Sequence, residues 1–176
     1  MSRLKDVRVL TTAAMLAAIA VILGFFKIPI SNLIELRFQS FPIAISGALF
    51  GPAIGAITGV ISDVGGYIAK PTGAFFPGFT VSAAITGIIF GILLRTNQKG
   101  KALLARVALA MGINTLVIGI VLNSLWLSML YGNPFPVTMA ARLPKELIMF
   151  PINTLILYVI MEPVKKAAGI ILGERA

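Results

Sequence analysis

The segment from residue 41 to residue 79 constrains the fold of this chain more than any other. It reads FPIAISGALFGPAIGAITGVISDVGGYIAKPTGAFFPGF, an apolar run divided by glycine and proline in which Asp63 is the only carboxylate. An ionisable side chain in the middle of a membrane helix costs about 2.5–3.5 kcal/mol on insertion scales, and such groups face a bundle interior or a wet cavity. The segment therefore predicts a membrane protein with an internal polar site.

The composition of the whole chain supports a membrane protein without a soluble domain. Of its 176 residues 58% are hydrophobic and 12% are charged, which is too apolar for the surface of a soluble protein. Because one span takes about 20 helical residues, six spans use roughly 120 residues and leave only short loops. We therefore expect one all-α, six-helix transmembrane domain over residues 1–176.

The residue types that are missing narrow the function. The chain has no cysteine and no histidine, and its six acidic residues are scattered over separate segments. This removes thiolate sites and the commonest metal ligand, and it leaves no nucleophile–base pair. We expect no metal, no cofactor and no catalytic residue. No phosphate-binding loop is present either, so active transport would need ATP bound by another chain.

The apolar runs predict helices, because a backbone inside a bilayer must satisfy its own hydrogen bonds. The predicted spans are residues 9–26, 41–49, 51–69, 80–94, 103–131 and 137–160. Basic residues before the first run are similar to the start of a signal peptide. The run continues to Phe26 without a small-residue cleavage site, so we expect a retained first helix.

The positions of the cations predict that both termini lie inside the cell. The predicted inner set is Arg3, Lys5, Arg8, Arg95, Lys99, Lys101, Arg106, Lys165, Lys166 and Arg175, and the outer set is Lys27, Arg37, Lys70, Arg142 and Lys145. The net charge of +9 thus has a membrane explanation. We expect no nucleic-acid binding, because the cations lie at helix ends and not along one face.

Arg142 and Lys145 are the strongest candidates for binding an anion. They are three residues apart and share a helical face. We expect them near the start of the last helix, with Pro144 in its first turn, where free N–H groups and the helix dipole favour a carboxylate. For Lys27 and Lys70, contact with lipid headgroups is the plainer interpretation.

Other candidates each have a structural alternative. Asp63 lies one turn from Tyr67 and is either an acceptor for ligand N–H groups or an internal ion-pair partner. Trp126, the only tryptophan, either stacks on a flat heteroaromatic ring or belongs to the interfacial belt. Three further groups are candidates. Asn32, Glu35 and Arg37 are loop residues, and Asn114, Asn123 and Asn153 are mid-span amides that are expected to form hydrogen bonds between helices. The aromatic residues Phe75, Phe76 and Phe79 form either a lid over the site or anchors at the membrane interface.

Two long stretches carry a family resemblance. FPIAISGALFGPAIGAITGVISDVGGYIAKP and GAFFPGFTVSAAITGIIFGIL, with the alanine-rich first helix, resemble the substrate-binding S components of energy-coupling-factor (ECF) vitamin transporters over nearly the whole chain. The resemblance implies a six-helix protein of the prokaryotic plasma membrane. It implies a vitamin cavity open to the outside and gated by the loops between helices 1 and 2 and between helices 3 and 4. It also implies two kinds of partner, a membrane coupling subunit and a pair of cytoplasmic ATPases.

The segment RLPKELIMFPINT resembles the last helix of the folate-specific members. With folate as ligand, the residues already singled out supply candidates for each part of it. Trp126, Asp63 and Asn123 are candidates for the pterin ring, and Arg142 and Lys145, with Arg37 in reserve, are candidates for the glutamate tail. Tyr67, Glu35 and Phe76 complete the set of candidate site residues. The alternative ligands are riboflavin, thiamin and pantothenate. A channel or a membrane enzyme is the alternative class.

The first helix carries small residues at four-residue spacing, which allow close approach of another helix. The family resemblance implies that an A-x-x-x-A surface docks on the coupling subunit. Ala14 and Ala18 match that surface, and Ala13 and Ala17 are the alternative register.

Overall fold

Six helices and a short hairpin make up the described part of the chain. The structure, a computed structural model, describes residues 7–26, 28–31, 34–36, 38–71, 74–95 and 99–172. The elements are α1 (Val7–Phe25), β1 (Ile28–Ser31), β2 (Ile34–Leu36), α2 (Ser40–Phe50), α3 (Pro52–Ala69), α4 (Pro77–Leu93), α5 (Gly100–Asn114), a π-helical segment (Thr115–Leu122), α6 (Asn123–Tyr131) and α7 (Phe135–Leu172). The three parts from α5 to α6 form one helix, Gly100–Tyr131.

The helices have the lengths that a membrane protein requires. Four are long and apolar enough to cross a bilayer, namely Val7–Phe25, Pro52–Ala69, Gly100–Tyr131 and Phe135–Ala167. The helices α2 and α4 are also apolar but shorter, with 11 and 17 residues. All six predicted helices are confirmed. The last is longer than predicted, because Pro163 lies inside α7 and does not end it; Pro144 and Pro151 are also interior residues of this helix.

A β-hairpin occupies the segment that the sequence suggested to be a simple loop. Ile28 pairs with Leu36 and Ser31 with Ile34, with an irregularity between Pro29 and Ser31. Strands of four and three residues are too short for an alternating pattern to be recognised. Because the hairpin follows α1, it marks one end of the bundle, which we call the hairpin end.

Glycines bring α2, α3 and α4 into backbone contact. A Cβ atom at Gly87 would lie 2.1 Å from the Gly55 carbonyl oxygen, and one at Gly59 would lie 2.2 Å from the Ala83 oxygen. Only glycine allows such an approach. Gly51, with a φ of 97°, turns α2 directly into α3. The glycines of these helices are therefore close-packing points.

Large apolar side chains close the end of the bundle opposite the hairpin end. The largest fully buried side chains are those of Phe90, Leu94, Leu103, Leu157 and Met161. They come from the end of α4, the start of α5 and the second half of α7. Two polar contacts hold the same end together, since Gly100 N–H donates to Glu162 Oε1 at 3.2 Å and Lys165 Nζ donates to the Leu94 oxygen at 3.1 Å. Polar groups that could bind a ligand therefore collect in the other half.

Candidate functional site

A cavity of about 280 Å³ lies between α2, α3, α4, the Gly100–Tyr131 helix and α7. Its rim at the hairpin end includes Tyr67, Lys70, Phe75 and Tyr131. Small-molecule sites have volumes of roughly 300–1,000 Å³, so this cavity is close to the lower end of that range. The predicted internal polar site is therefore a real feature of the fold.

Two cations and one carboxylate form a cluster on the α7 wall of the cavity. Glu146 Oε1 accepts hydrogen bonds from Arg142 Nη2 at 3.2 Å and from Lys145 Nζ at 2.8 Å. Arg142 Nε also donates to the Gly119 carbonyl oxygen at 3.3 Å. Arg142 and Glu146 are buried, with exposures of 7% and 8%. The cluster has one excess positive charge, which suits an anionic ligand group.

The predicted position of Arg142 and Lys145 near the start of the last helix is wrong. The helix α7 begins at Phe135, so both residues lie beyond its first turn and Pro144 is an interior proline. Pro136 occupies the first-turn position that Pro144 was expected to take. Attraction for an anion therefore comes from the two side-chain charges and not from the helix dipole. The predicted shared face is confirmed, because both side chains line the cavity.

Glu146 is a site residue that the sequence analysis missed. Its spacing of four residues from Arg142 is the one signal that could have indicated the ion pair. Nothing in the sequence indicated that this pair faces Gly119, because the contact joins α7 to the π-helical segment. Such π-helical turns are frequent at functional sites. Here the segment lies between Asn114 and Asn123, and both of these residues line the cavity.

Asp63 lines the cavity and is partly buried. Its Oδ2 accepts a hydrogen bond from Thr80 Oγ1 at 2.7 Å, which ties α3 to the first turn of α4. Within the described ranges this hydroxyl is its hydrogen-bond partner, so the ion pair considered as its structural role is not present there. One carboxylate oxygen thus supports the fold, and the residue also lines the cavity.

Trp126 does not line the described cavity wall. Its indole N–H donates to Ser82 Oγ at 3.0 Å, and its ring packs on Phe76 with a centroid distance of 5.7 Å. A Cβ atom at Gly78 would be 2.5 Å from Trp126 Cδ2, so the indole fills the space beside that glycine. Trp126 therefore supports Phe76, which does line the cavity, instead of offering its own face to a ligand.

The mid-span amides differ from the expectation. Asn114, Asn123 and Asn153 line the cavity, and their Oδ1 atoms are buried without a hydrogen-bond partner among the described residues. The interhelical hydrogen bonds expected of them are not formed by these oxygens. Buried polar atoms are usually paired, so three such oxygens around one cavity are notable.

The structure brings most of the predicted site residues together. Of the nine residues assigned to the ligand, six line the cavity: Arg142, Lys145, Asp63, Asn123, Tyr67 and Phe76. The other named candidates that line it are Lys70, Phe75, Phe79, Asn114 and Asn153. Lys27, Asn32 and Arg37 lie outside the described residues. The backbone of Glu35 belongs to β2, and its side chain lies outside the described part. Besides Glu146, the lining includes Gln39 and Ser82, which no motif indicated.

The alanines of α1 divide into two registers. Ala13 and Ala17 are buried within the chain, and Ala14 and Ala18 are exposed. A shallow apolar groove of about 120 Å³ between α1 and α3 is lined in part by Ala14 and Ile57. Ala13 and Ala17 line the same groove, so the register of Ala14 and Ala18 is the more exposed of the two.

The chain is similar to curated transport proteins over most of its length. It is 36% identical over 155 residues to the folate transporter FolT of Clostridium novyi (strain NT), covering 88% of each chain. It is 32% identical over 161 residues to the folate transporter FolT of Leuconostoc mesenteroides subsp. mesenteroides, covering 89% of this chain and 85% of that one.

Solved structures show the same fold. A crystal structure of FolT bound with folic acid superposes with a TM-score of 0.81 at 29% identity, covering 90% of this chain and 97% of that chain. The S component of a bacterial ECF transporter superposes with a TM-score of 0.65 at 22% identity, covering 95% and 98%, and this likeness concerns the fold alone. The family model for the substrate-specific component of ECF transporters matches residues 8–161. The chain therefore belongs to the family of substrate-specific components of ECF transporters.

Proposed function

We propose that this protein captures folate at the outer face of the membrane and delivers it inward by reorienting in the bilayer. Family membership makes it a transport subunit and not an enzyme, located in the prokaryotic plasma membrane. Proteins of this family work with a membrane coupling subunit and ATPases. The choice of folate is supported by the FolT relatives and by the FolT structure that contains folic acid.

The observation that carries the proposal is the pair of cations on the cavity wall. Arg142 and Lys145 have side-chain exposures of 8% and 17%, so an anion beside them would be largely shielded from water. Folate has a glutamate tail with two carboxylates, and charge-assisted hydrogen bonds are roughly twice as strong as neutral ones. The excess positive charge of the cluster has the sign needed to bind a carboxylate of that tail.

The rest of the cavity suits the uncharged part of folate. Tyr67 and Phe75 pack together near the rim with a centroid distance of 5.0 Å, and Phe76 lines the wall nearby. Aromatic faces of this kind stack on the flat rings of a ligand. Asp63 and Asn123 add acceptors along the wall, and Trp126 acts indirectly by holding Phe76. We retain Arg37 and Glu35 as candidates from the segment between α1 and α2.

The function is tested by the ligand that copurifies with the protein and by one substitution. A pterin absorption spectrum and the matching mass support folate, whereas a flavin, thiamin or pantothenate mass overturns this choice.

Arg142→Ala is expected to weaken folate binding at least tenfold, about 1.4 kcal/mol, in calorimetry on purified protein. Arg95→Ala, at an exposed residue of the opposite end, is the matched control and should bind as wild type. Wild-type affinity in Arg142→Ala would remove this residue from the site.

We infer that Ala14 and Ala18 form the contact with the coupling subunit and that both termini are cytoplasmic. The exposure of the two alanines and the distribution of cations support these inferences. Ala14→Trp should abolish folate uptake by the assembled transporter while leaving folate binding intact. Ala105→Trp, at an exposed alanine of α5, should leave both unchanged. Normal uptake by the Ala14→Trp protein would place the docking surface elsewhere.

A further inference from the structure

The end of the bundle opposite the hairpin end carries a strong excess of positive charge. Its described cations are Arg8, Arg95, Lys99, Lys101, Arg106, Lys165 and Lys166. Glu162 is the only carboxylate among the described residues of this end, and its Oε1 accepts a hydrogen bond from the Gly100 N–H. Repulsion among like charges destabilises a compact structure. An anion that comes from outside the chain would therefore be attracted to this end.

Two of these cations come together where α5 packs on α7. Met161 of α7 and Val107 of α5 belong to the same buried cluster. Lys165 lies one helical turn beyond the first of them, and Arg106 directly precedes the second. Lys165 Nζ donates to the Leu94 carbonyl oxygen at 3.1 Å, which holds the ammonium group beside the end of α4. The charge of Arg106 is close enough to repel that ammonium group. The fold thus holds two like charges side by side, an arrangement that an anion bonded to both would stabilise.

An exposed apolar row continues from Arg106 along the same helix. Leu109 lies one turn beyond Arg106, Leu116 lies two turns further, and both side chains are exposed. Residues at these spacings share one face of a helix. Because the Gly100–Tyr131 helix is long and apolar enough to cross a bilayer, we expect this row to contact acyl chains. The surface therefore combines cations with an apolar strip, which is the pattern that a phospholipid matches. A soluble anion or an acidic protein segment would use only the charged part.

We propose that Arg106 and Lys165 bind the phosphate of an anionic phospholipid at the membrane surface opposite the hairpin end. A guanidinium group presents its N–H donors as a planar fork that matches two phosphate oxygens. The Lys165 ammonium group carries three N–H donors, of which the Leu94 carbonyl accepts one. Basic pockets between transmembrane helices on the cytoplasmic side bind anionic headgroups, and the cation distribution predicts that side here. The site lies outside the cavity, so the inference does not depend on the ligand that the cavity binds.

The experiment measures lipid preference by native mass spectrometry. The purified protein in detergent is incubated with equal amounts of anionic phosphatidylglycerol and zwitterionic phosphatidylcholine that have the same acyl chains. We expect wild type to retain phosphatidylglycerol at least tenfold more than phosphatidylcholine, about 1.4 kcal/mol. The test variant, Arg106→Gln with Lys165→Gln, should lower that preference to within about threefold of unity, because both charges are removed. Glutamine still offers a donor to the Leu94 carbonyl, so the fold should be retained. Arg106→Gln alone, at an exposed residue, should lower the preference in part and keep the wild-type Tm.

The matched control is Arg95→Gln with Lys101→Gln, which also removes one arginine and one lysine from this end. Both residues are exposed. The Arg95 guanidinium group lies beside Gly51 at the turn from α2 to α3, and Lys101 is on a different face of α5 from Arg106. The control should keep the full lipid preference. Equal losses in the test variant and the control would assign the effect to general surface charge and overturn the inference, as would a wild-type preference in the test variant.

Two further measurements distinguish the lipid from other anions. Phosphatidylglycerol should raise the Tm of wild type, whereas inorganic phosphate should not. An equal rise with inorganic phosphate would show a site for free anions and overturn the choice of a lipid. If wild type has no lipid preference but the test variant fails to assemble with its coupling subunit, the surface binds a protein and the inference is wrong.

Discussion

The carboxylate of Glu146 lies directly against the backbone of Gly119. A Cβ atom at residue 119 would be 2.8 Å from Glu146 Cδ and 2.8 Å from its Oε2. The same carboxylate binds Arg142 and Lys145, and Arg142 donates to the Gly119 carbonyl. A residue without a side chain thus sets the position of three charged groups.

Replacing this glycine should disturb the charged cluster. Gly119→Ala introduces a Cβ atom where the Glu146 carboxyl group lies, so the carboxylate must move, and Arg142 and Lys145, which are bonded to it, move from the positions in which they would meet the ligand. We expect folate affinity to fall at least tenfold, about 1.4 kcal/mol, measured by calorimetry. Gly112→Ala is the matched control, because its Cβ would meet Phe150 at an ordinary 3.6 Å. Equal affinities of the two variants would show that the Glu146 position does not affect binding.

Neutralising Glu146 should lower the stability of the protein without ligand and increase the stabilisation that folate provides. Glu146→Gln keeps the size of the side chain but leaves Arg142 and Lys145 without a counter-charge. Since hydrogen bonds to charged groups contribute about 1.5–3 kcal/mol, we expect the protein without ligand to lose about 2 kcal/mol of stability. Folate should then raise Tm by more than it does in wild type, because its tail supplies the missing negative charge. A smaller rise in Tm would mean that Glu146 itself accepts hydrogen bonds from the ligand.

Two substitutions can separate the contribution of Asp63 to stability from its contribution to ligand binding. Asp63→Asn removes the charge, whereas Thr80→Val removes only the hydrogen bond to Oδ2 that the structure shows. A single such bond contributes about 1 kcal/mol, so both variants should have a Tm close to wild type. We expect Asp63→Asn to weaken folate binding and Thr80→Val to leave it unchanged. A lower Tm of Asp63→Asn would instead show that the carboxylate stabilises the fold.

The contact between α3 and α4 should tolerate no added side chain. Gly87→Ala would place a Cβ atom 2.1 Å from the Gly55 carbonyl oxygen, which is backbone and cannot rotate away. Overpacking of this kind costs about 1–3 kcal/mol, so we expect a clear drop in Tm in detergent. Gly66→Ala, where a Cβ atom would meet nothing within 4 Å, should unfold at the wild-type temperature. Emission from Trp126, the only tryptophan, reports the transition.

Local sequence patterns predicted the helices well and the site only in part. A backbone inside a bilayer must form its hydrogen bonds within its own segment, so the six apolar runs could be assigned as helices directly from hydropathy, although two of them are short. Asp63 and Arg142 could be found because a charge inside such a run needs an internal environment. Glu146 was missed because its partners become visible only when α7 packs on the π-helical segment. Trp126 was given as a candidate for stacking because of its residue type, whereas in the structure its ring packs on Phe76 and it is Phe76 that lines the cavity.

The sequence by itself determined the all-helical membrane class, the number of helices and the presence of an internal polar site, since these follow from the cost of exposing polar groups to lipid. Only the tertiary structure decided how deep each polar group lies and which groups share the cavity. Those features depend on the register between helices that are distant in the chain. Here that register is set by close glycine contacts such as Gly55 with Gly87 and Gly119 with Glu146. The sequence does not show which residue a given glycine will contact in the fold. The presence of the site could therefore be recognised from the sequence, but its arrangement could not be derived from it.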